Sequence, residues 1–156
     1  MLYRYNEWRI VLVQYCNKKG IMFDTNLSWS DDNEKCMLER GHIESYGGAK
    51  WAVDSFPKGD YVLFYSKGRG VIAIGEITSR KARELHGAED ADDGRYHEVK
   101  MIVPLNVSGS DGYNQSLYPY EIKTLLDKVT RTYKTPYLSE GQVKILIEAL
   151  QKKYNV

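Results

Sequence analysis

The stretch Phe56-Pro57-Lys58-Gly59-Asp60-Tyr61-Val62-Leu63-Phe64-Tyr65-Ser66-Lys67-Gly68-Arg69-Gly70-Val71-Ile72-Ala73-Ile74-Gly75-Glu76-Ile77-Thr78 constrains the fold more than any other part of the chain. Two apolar runs rich in β-branched and aromatic residues flank Ser66-Lys67-Gly68-Arg69-Gly70, and a Pro-Lys-Gly-Asp turn precedes the first. This is the pattern of a β-hairpin. Side chains alternate along a strand, so Val62 and Phe64 go to one face while Tyr61, Leu63 and Tyr65 go to the other. Both faces carry apolar bulk and neither can be left in water. The hairpin is therefore expected at the centre of a sheet, and the rest of the chain has to cover it.

Periodicity supplies the cover. Trp8 to Tyr15 reads as a strand, with Ile10 and Leu12 opposite Val11 and Val13. Asn17 to Gly20 reads as a turn and Ile21 to Thr25 as a short strand. Ser30 can cap a helix with an acidic first turn that ends at Gly41. His42 to Asp54 is irregular, and Tyr46-Gly47-Gly48-Ala49-Lys50-Trp51 sets two glycines between aromatics, as in a tight loop or a close approach to a ligand. Ser79 to Gly87 contains good helix formers and is predicted helical; Glu89 to Gly94 reads as an acidic loop. Tyr96 to Val103 alternates and Pro104 closes it as a strand, while Asn106 to Gln115 reads as a loop. Pro119 opens a helix with the stripe Ile122, Leu125, Leu126, Val129. Ser139 and Gln142 form a capping box before the stripe Val143, Leu146, Ile147, Leu150, Tyr154. The expected fold is a single α+β domain over residues 1–156.

Composition narrows the function. Apolar residues make up 42% and the formal charge is +1, so the chain folds, and a polyanion would have to be held by a local basic patch. The apolar runs are too short to span a bilayer, and the amino terminus has no signal-peptide core; a cytoplasmic location and no membrane partner are expected. Cys16 and Cys36 are lone thiols that read as small buried residues, and His42, His86 and His97 are scattered, so neither a metal nor a cofactor is expected. No Gly-x-Ser-x-Gly occurs, and Gly68-Arg69-Gly70 leads into a strand rather than a helix, unlike a phosphate loop. Asp60 and Glu76 on successive strands suit a metal-dependent nuclease, but that chemistry needs a lysine two residues after the second acid, where Thr78 stands.

Thirteen tyrosines and three tryptophans exceed what a core of this size needs. Aromatic faces beside cations can stack on nucleobases and hold phosphates, and they can equally fill a core. Trp8, Trp29, Tyr46, Trp51 and Tyr65 are the aromatic candidates; Lys67, Arg69, Arg80 and Lys81 are the phosphate candidates.

The segment Trp51 to Thr78 has a tryptophan, a spacer, Pro57-x-Gly59-Asp60, a strand ending in Phe64-Tyr65, a glycine turn and the strand Val71 to Ile77. It resembles the EVE family of the PUA-like superfamily, whose relatives include YTH domains and the readers of modification-dependent restriction systems. The resemblance implies a small, strongly curved PUA-like β-barrel flanked by helices and an aromatic cage for a modified or flipped base. By position, Trp51, Tyr65 and Ser66 fall where the cage is lined. Tyr46 and Trp29 join on aromatic chemistry alone, and Trp8 or Trp29 echoes the family's opening Trp-containing phrase. The expectation is a non-catalytic reader of DNA or RNA; the alternative is a protein-interaction module built on the same barrel.

Overall fold

The computed structural model describes residues 18–25, 31–85, 94–106, 115–128 and 138–156. Their elements are β1 (Lys19–Asp24), α1 (Asp31–Arg40), β2 (His42–Ser45), a 3-10 helix (Gly47–Ser55), β3 (Tyr61–Ser66), β4 (Gly70–Ile77), β5 (Arg83–Leu85), β6 (Gly94–Val103), α2 (Pro119–Leu126), β7 (Leu138–Ser139) and α3 (Glu140–Tyr154). The strands form one mixed sheet in the order β2-β6-β4-β3-β1-β7, with β5 also paired to β6. The hairpin β3–β4 sits at its centre, as its two-faced apolar pattern requires.

Tyr61 and Leu63 lie in a core with Met22, Val71, Ile74, Leu117 and Ile122, closed by Val143, Leu146, Leu150 and Tyr154 of α3. Val62 and Phe64 lie in a second core on the opposite face with Phe23, Met37 of α1, and Val53 and Phe56 around the 3-10 helix. Each large side chain so buried contributes on the order of 2 kcal/mol before chain entropy is set against it. The capping box of α3 forms as read: the Gln142 amide donates to Ser139 Oγ at 3.2 Å, and the Ser139 amide to Gln142 Oε1 at 3.0 Å.

Strand β4 carries a bulge, since Phe64 faces Ala73 while Tyr65 faces Val71. Ile72 is the residue taken out of register, and its carbonyl accepts the Tyr154 hydroxyl from α3. That phenol is pushed up to about 12, chiefly by burial. The bulge thus gains a partner from the helix that covers it.

Four expectations change. The Ser79–Gly87 helix is replaced by a bend and the strand β5. The Thr78 amide donates to the Glu98 carbonyl at 2.9 Å and the Glu98 amide to Ser79 Oγ at 3.0 Å, so pairing with β6 overrides local helix propensity. The glycine-rich Tyr46–Trp51 stretch, read as a tight loop, winds into the 3-10 helix, with Tyr46 at its start. Leu125 is 42% exposed rather than part of the buried stripe of α2. Finally, the described sheet is open: β2 and β7 form its two edges and do not pair, so it is not closed into a barrel. Cys36 is half-buried in α1. The strand expected at Trp8–Tyr15, Cys16, Trp29, the 89–93 acidic segment and Val129 lie outside the described residues.

Candidate functional site

Strands β1 and β3 run parallel, so both finish at the hairpin end, with Asp24 opposite Tyr65. The next residue, Thr25, donates its amide to the Tyr65 carbonyl at 3.0 Å and its hydroxyl to the Glu34 carboxylate of α1. Arg69, from the hairpin turn, brings Nη1 to 3.6 Å from Glu34 Oε1. Across the turn, Ser116 Oγ donates to the Arg69 carbonyl at 2.6 Å, and Leu117 pairs with Val71 through two backbone hydrogen bonds of 2.9 Å. Thr25, Glu34, Ser66 and Ser116 are all buried, a polar cluster at the end of an apolar sheet.

Among the described residues the buried Ser66 hydroxyl has no hydrogen-bond partner, and Glu34 Oε1 has only the ion pair with Arg69. A buried polar group left unpaired costs about 1–3 kcal/mol, so the fold carries a penalty here that a ligand can relieve. Tyr65, half-buried, packs against the core on the α3 side of the sheet, the face opposite Ser66 and Glu34; burial raises its phenol, with Asp24 adding to the effect. Lys67 is exposed beside it. The guanidinium of Arg69 has five donors in a planar fork and can serve a carboxylate and a phosphate together.

The other candidates sit elsewhere. Trp51 is 58% exposed on the 3-10 helix, so it does not anchor that segment in the core. Arg95 Cζ lies 4.7 Å from its ring centre and Lys50 Nζ 5.2 Å, and Arg95 Nε donates to Asp54 at 2.6 Å. The Tyr46 hydroxyl donates to Glu44, a fully buried carboxylate that also takes Arg40 at 3.5 Å and His42 at 3.4 Å. Burial and then Glu44 hold that phenol well above its ordinary value, which marks Tyr46 as a structural partner of Glu44. His97 is buried with Nδ1 2.8 Å from Ser79 Oγ; burial lowers its pKa, so the ring is neutral at neutral pH.

Register separates the basic candidates as well. Ser66 pairs with Gly70 at one end of β4 and Ile77 with Val99 at the other, and Arg80 and Lys81 lie exposed beyond that second end. Lys67 and Arg69 therefore share the hairpin end, whereas Arg80 and Lys81 share the region of β5. Trp8 and Trp29 lie outside the described residues.

The nuclease carboxylates have other partners. Asp60 accepts the Lys19 amide at 3.1 Å and burial raises its pKa, while Glu76 pairs with Lys18 at 3.2 Å. Among the described residues no group of three or more histidine, cysteine or acidic side chains could hold a metal ion.

Sequence reasoning missed Thr25, Glu34 and Ser116. Glu34 left one readable trace: it stands three residues before the buried Met37, which puts a carboxylate on the apolar face of α1. Thr25 and Ser116 left none, since long-range pairing alone brings them to the hairpin.

No family model matches the chain, and no curated protein matches it. Among solved structures it is similar to the NMR structure of Rpa0253 from Rhodopseudomonas palustris, a structural genomics target, at 12% identity and a TM-score of 0.38 over 84% of this chain and 92% of that one.

Proposed function

We propose that the protein is a non-catalytic nucleic-acid-binding domain, working in the cytoplasm, that takes an unpaired or flipped base of DNA or RNA at the β3–β4 hairpin end. The carrying observation is the buried Ser66 hydroxyl, without a hydrogen-bond partner among the described residues, beneath Lys67 and Arg69 of the hairpin turn; we read this polar cluster as a crevice that a base enters. A base edge presents donors and acceptors in a plane, and the Ser66 hydroxyl can complement such an edge. Lys67 and Arg69 take the adjoining phosphates. The resemblance to EVE domains implies a cage of Trp51, Tyr65 and Ser66; only Tyr65-Ser66 stands at the hairpin end, while Trp51 lies beside Arg95. Modified bases are then distinguished by fit within the crevice.

The test is fluorescence anisotropy with labelled single-stranded hexanucleotides, DNA and RNA, plain and carrying methylated or hydroxymethylated bases, at two salt concentrations. Wild-type protein binds, and binding weakens as salt rises. Ser66→Ala weakens binding about tenfold, the loss of one well-placed polar contact. The same change removes the unpaired hydroxyl and raises stability by about 1 kcal/mol. Affinity equal to wild type in Ser66→Ala rules out the crevice as the reading site.

A further inference from the structure

We infer that the groove between α2 and α3 binds a second nucleobase of the same strand, which makes the preferred ligand a single-stranded segment rather than one isolated base. This inference rests on the nucleic-acid reading of the hairpin-end crevice.

The groove has a volume of about 520 Å³, within the roughly 300–1,000 Å³ typical of small-ligand clefts. Its lining includes the apolar side chains Leu117, Leu125 and Ala149. Tyr120 also lines it, 69% exposed, and stacks on Tyr118 with ring centres 5.8 Å apart and planes 14° from parallel. The inner ring is held in place. Lys153 Nζ lies 5.6 Å from the centre of the Tyr118 ring and 2.6 Å from Glu121, whose carboxylate also accepts the Tyr118 amide at 2.9 Å. A ring fixed before binding loses little entropy when a base is added to it, so an incoming base extends an existing stack.

Charge favours a nucleic-acid occupant. Lys152 lines the groove and Lys123 is exposed on α2, while the one carboxylate in the lining, Glu121, is paired with Lys153. The short segment from Ser116 to Tyr120 links the hairpin turn to the groove. Ser116 donates to the Arg69 carbonyl and accepts Lys153 Nζ at 2.9 Å on its own carbonyl; Leu117 then lines the groove and Tyr118 begins the stack. From Ser116 to Tyr120 the backbone spans at most about 14 Å, within reach of a short strand. One base in the crevice and its neighbour on Tyr120, with Lys152 on a phosphate, account for both features.

The experiment compares a labelled single-stranded hexanucleotide with a dinucleotide competitor, using wild type, Tyr120→Ala and Tyr120→Phe. Wild type prefers the hexanucleotide. Tyr120→Ala lowers the hexanucleotide-to-dinucleotide affinity ratio about tenfold, as expected for one lost stack, and Tyr120→Phe restores it. If wild type binds the hexanucleotide and Tyr120→Ala binds it equally well, the groove inference falls and the crevice stands. If wild type binds no oligonucleotide, the crevice reading fails and takes the groove with it.

Discussion

Gly70→Ala is expected to destabilise the protein by about 3–5 kcal/mol, several times more than Gly68→Ala in the same turn. Gly70 has φ +98°, and a Cβ there would meet the Leu117 carbonyl oxygen at 1.9 Å and Tyr118 Cα at 3.0 Å. Backbone strain at positive φ costs about 1–2 kcal/mol. Displacing Leu117 breaks its two hydrogen bonds to Val71, about 1 kcal/mol each, and unpacks Leu117 from the core. Gly68, at φ +82°, has nothing within 4 Å of such a Cβ, so its variant carries the backbone strain alone. Urea denaturation of the two variants separates the effects. Equal losses would mean that the close passage of Ser116–Tyr118 over the hairpin, on which crevice and groove both depend, is not present in solution.

Arg69→Ala is expected to weaken oligonucleotide binding about a hundredfold and to lower stability by about 2–3 kcal/mol. The stability loss comes from Glu34, whose side chain is 1% exposed and keeps, among the described residues, only the Thr25 hydroxyl once the guanidinium is gone. The Arg69 side chain is 35% exposed, which holds the loss toward the lower end of what breaking a buried ion pair costs. The affinity loss comes from a phosphate contact and a disordered crevice rim together. These separate in the double variant Glu34→Gln/Arg69→Ala, which removes the stranded charge: it regains stability without regaining affinity. Its salt dependence of binding is shallower than wild type by about 0.7 in log–log slope, one single-strand phosphate contact. Recovery of affinity along with stability in the double variant would make Arg69 a structural residue only.

Features set by local chemistry were readable from the sequence. The Ser139–Gln142 box and the Val143-to-Tyr154 stripe are contained within α3, and both form as expected. The two-faced hairpin demanded a cover on each side, and two cores provide it. What the sequence did not show depends on partners far along the chain. Arg80 to Leu85 has helix propensity, yet β6 offers hydrogen bonds that a short exposed helix cannot match. Trp51 looks like a core anchor until Arg95 is seen to cover its ring. The clustering of Arg80 and Lys81 with Lys67 and Arg69 holds in sequence only, because the length of β4 separates the pairs. The crevice itself arises from the parallel pairing of β1 with β3, which no periodicity encodes. Tyr65, Ser66, Lys67 and Arg69 were singled out as candidates in the sequence, but the buried carboxylate beside Arg69 was not.

The most direct measurement is an amide chemical-shift titration of the isotope-labelled protein with the single-stranded hexanucleotide. Binding at the hairpin end moves the amides of Thr25, Ser66, Arg69 and Ser116 together with a single affinity, while those around Trp51 and Arg95 stay in place. Shifts confined to Trp51 and Arg95, with the hairpin end unchanged, would contradict the assignment of the crevice as the binding site.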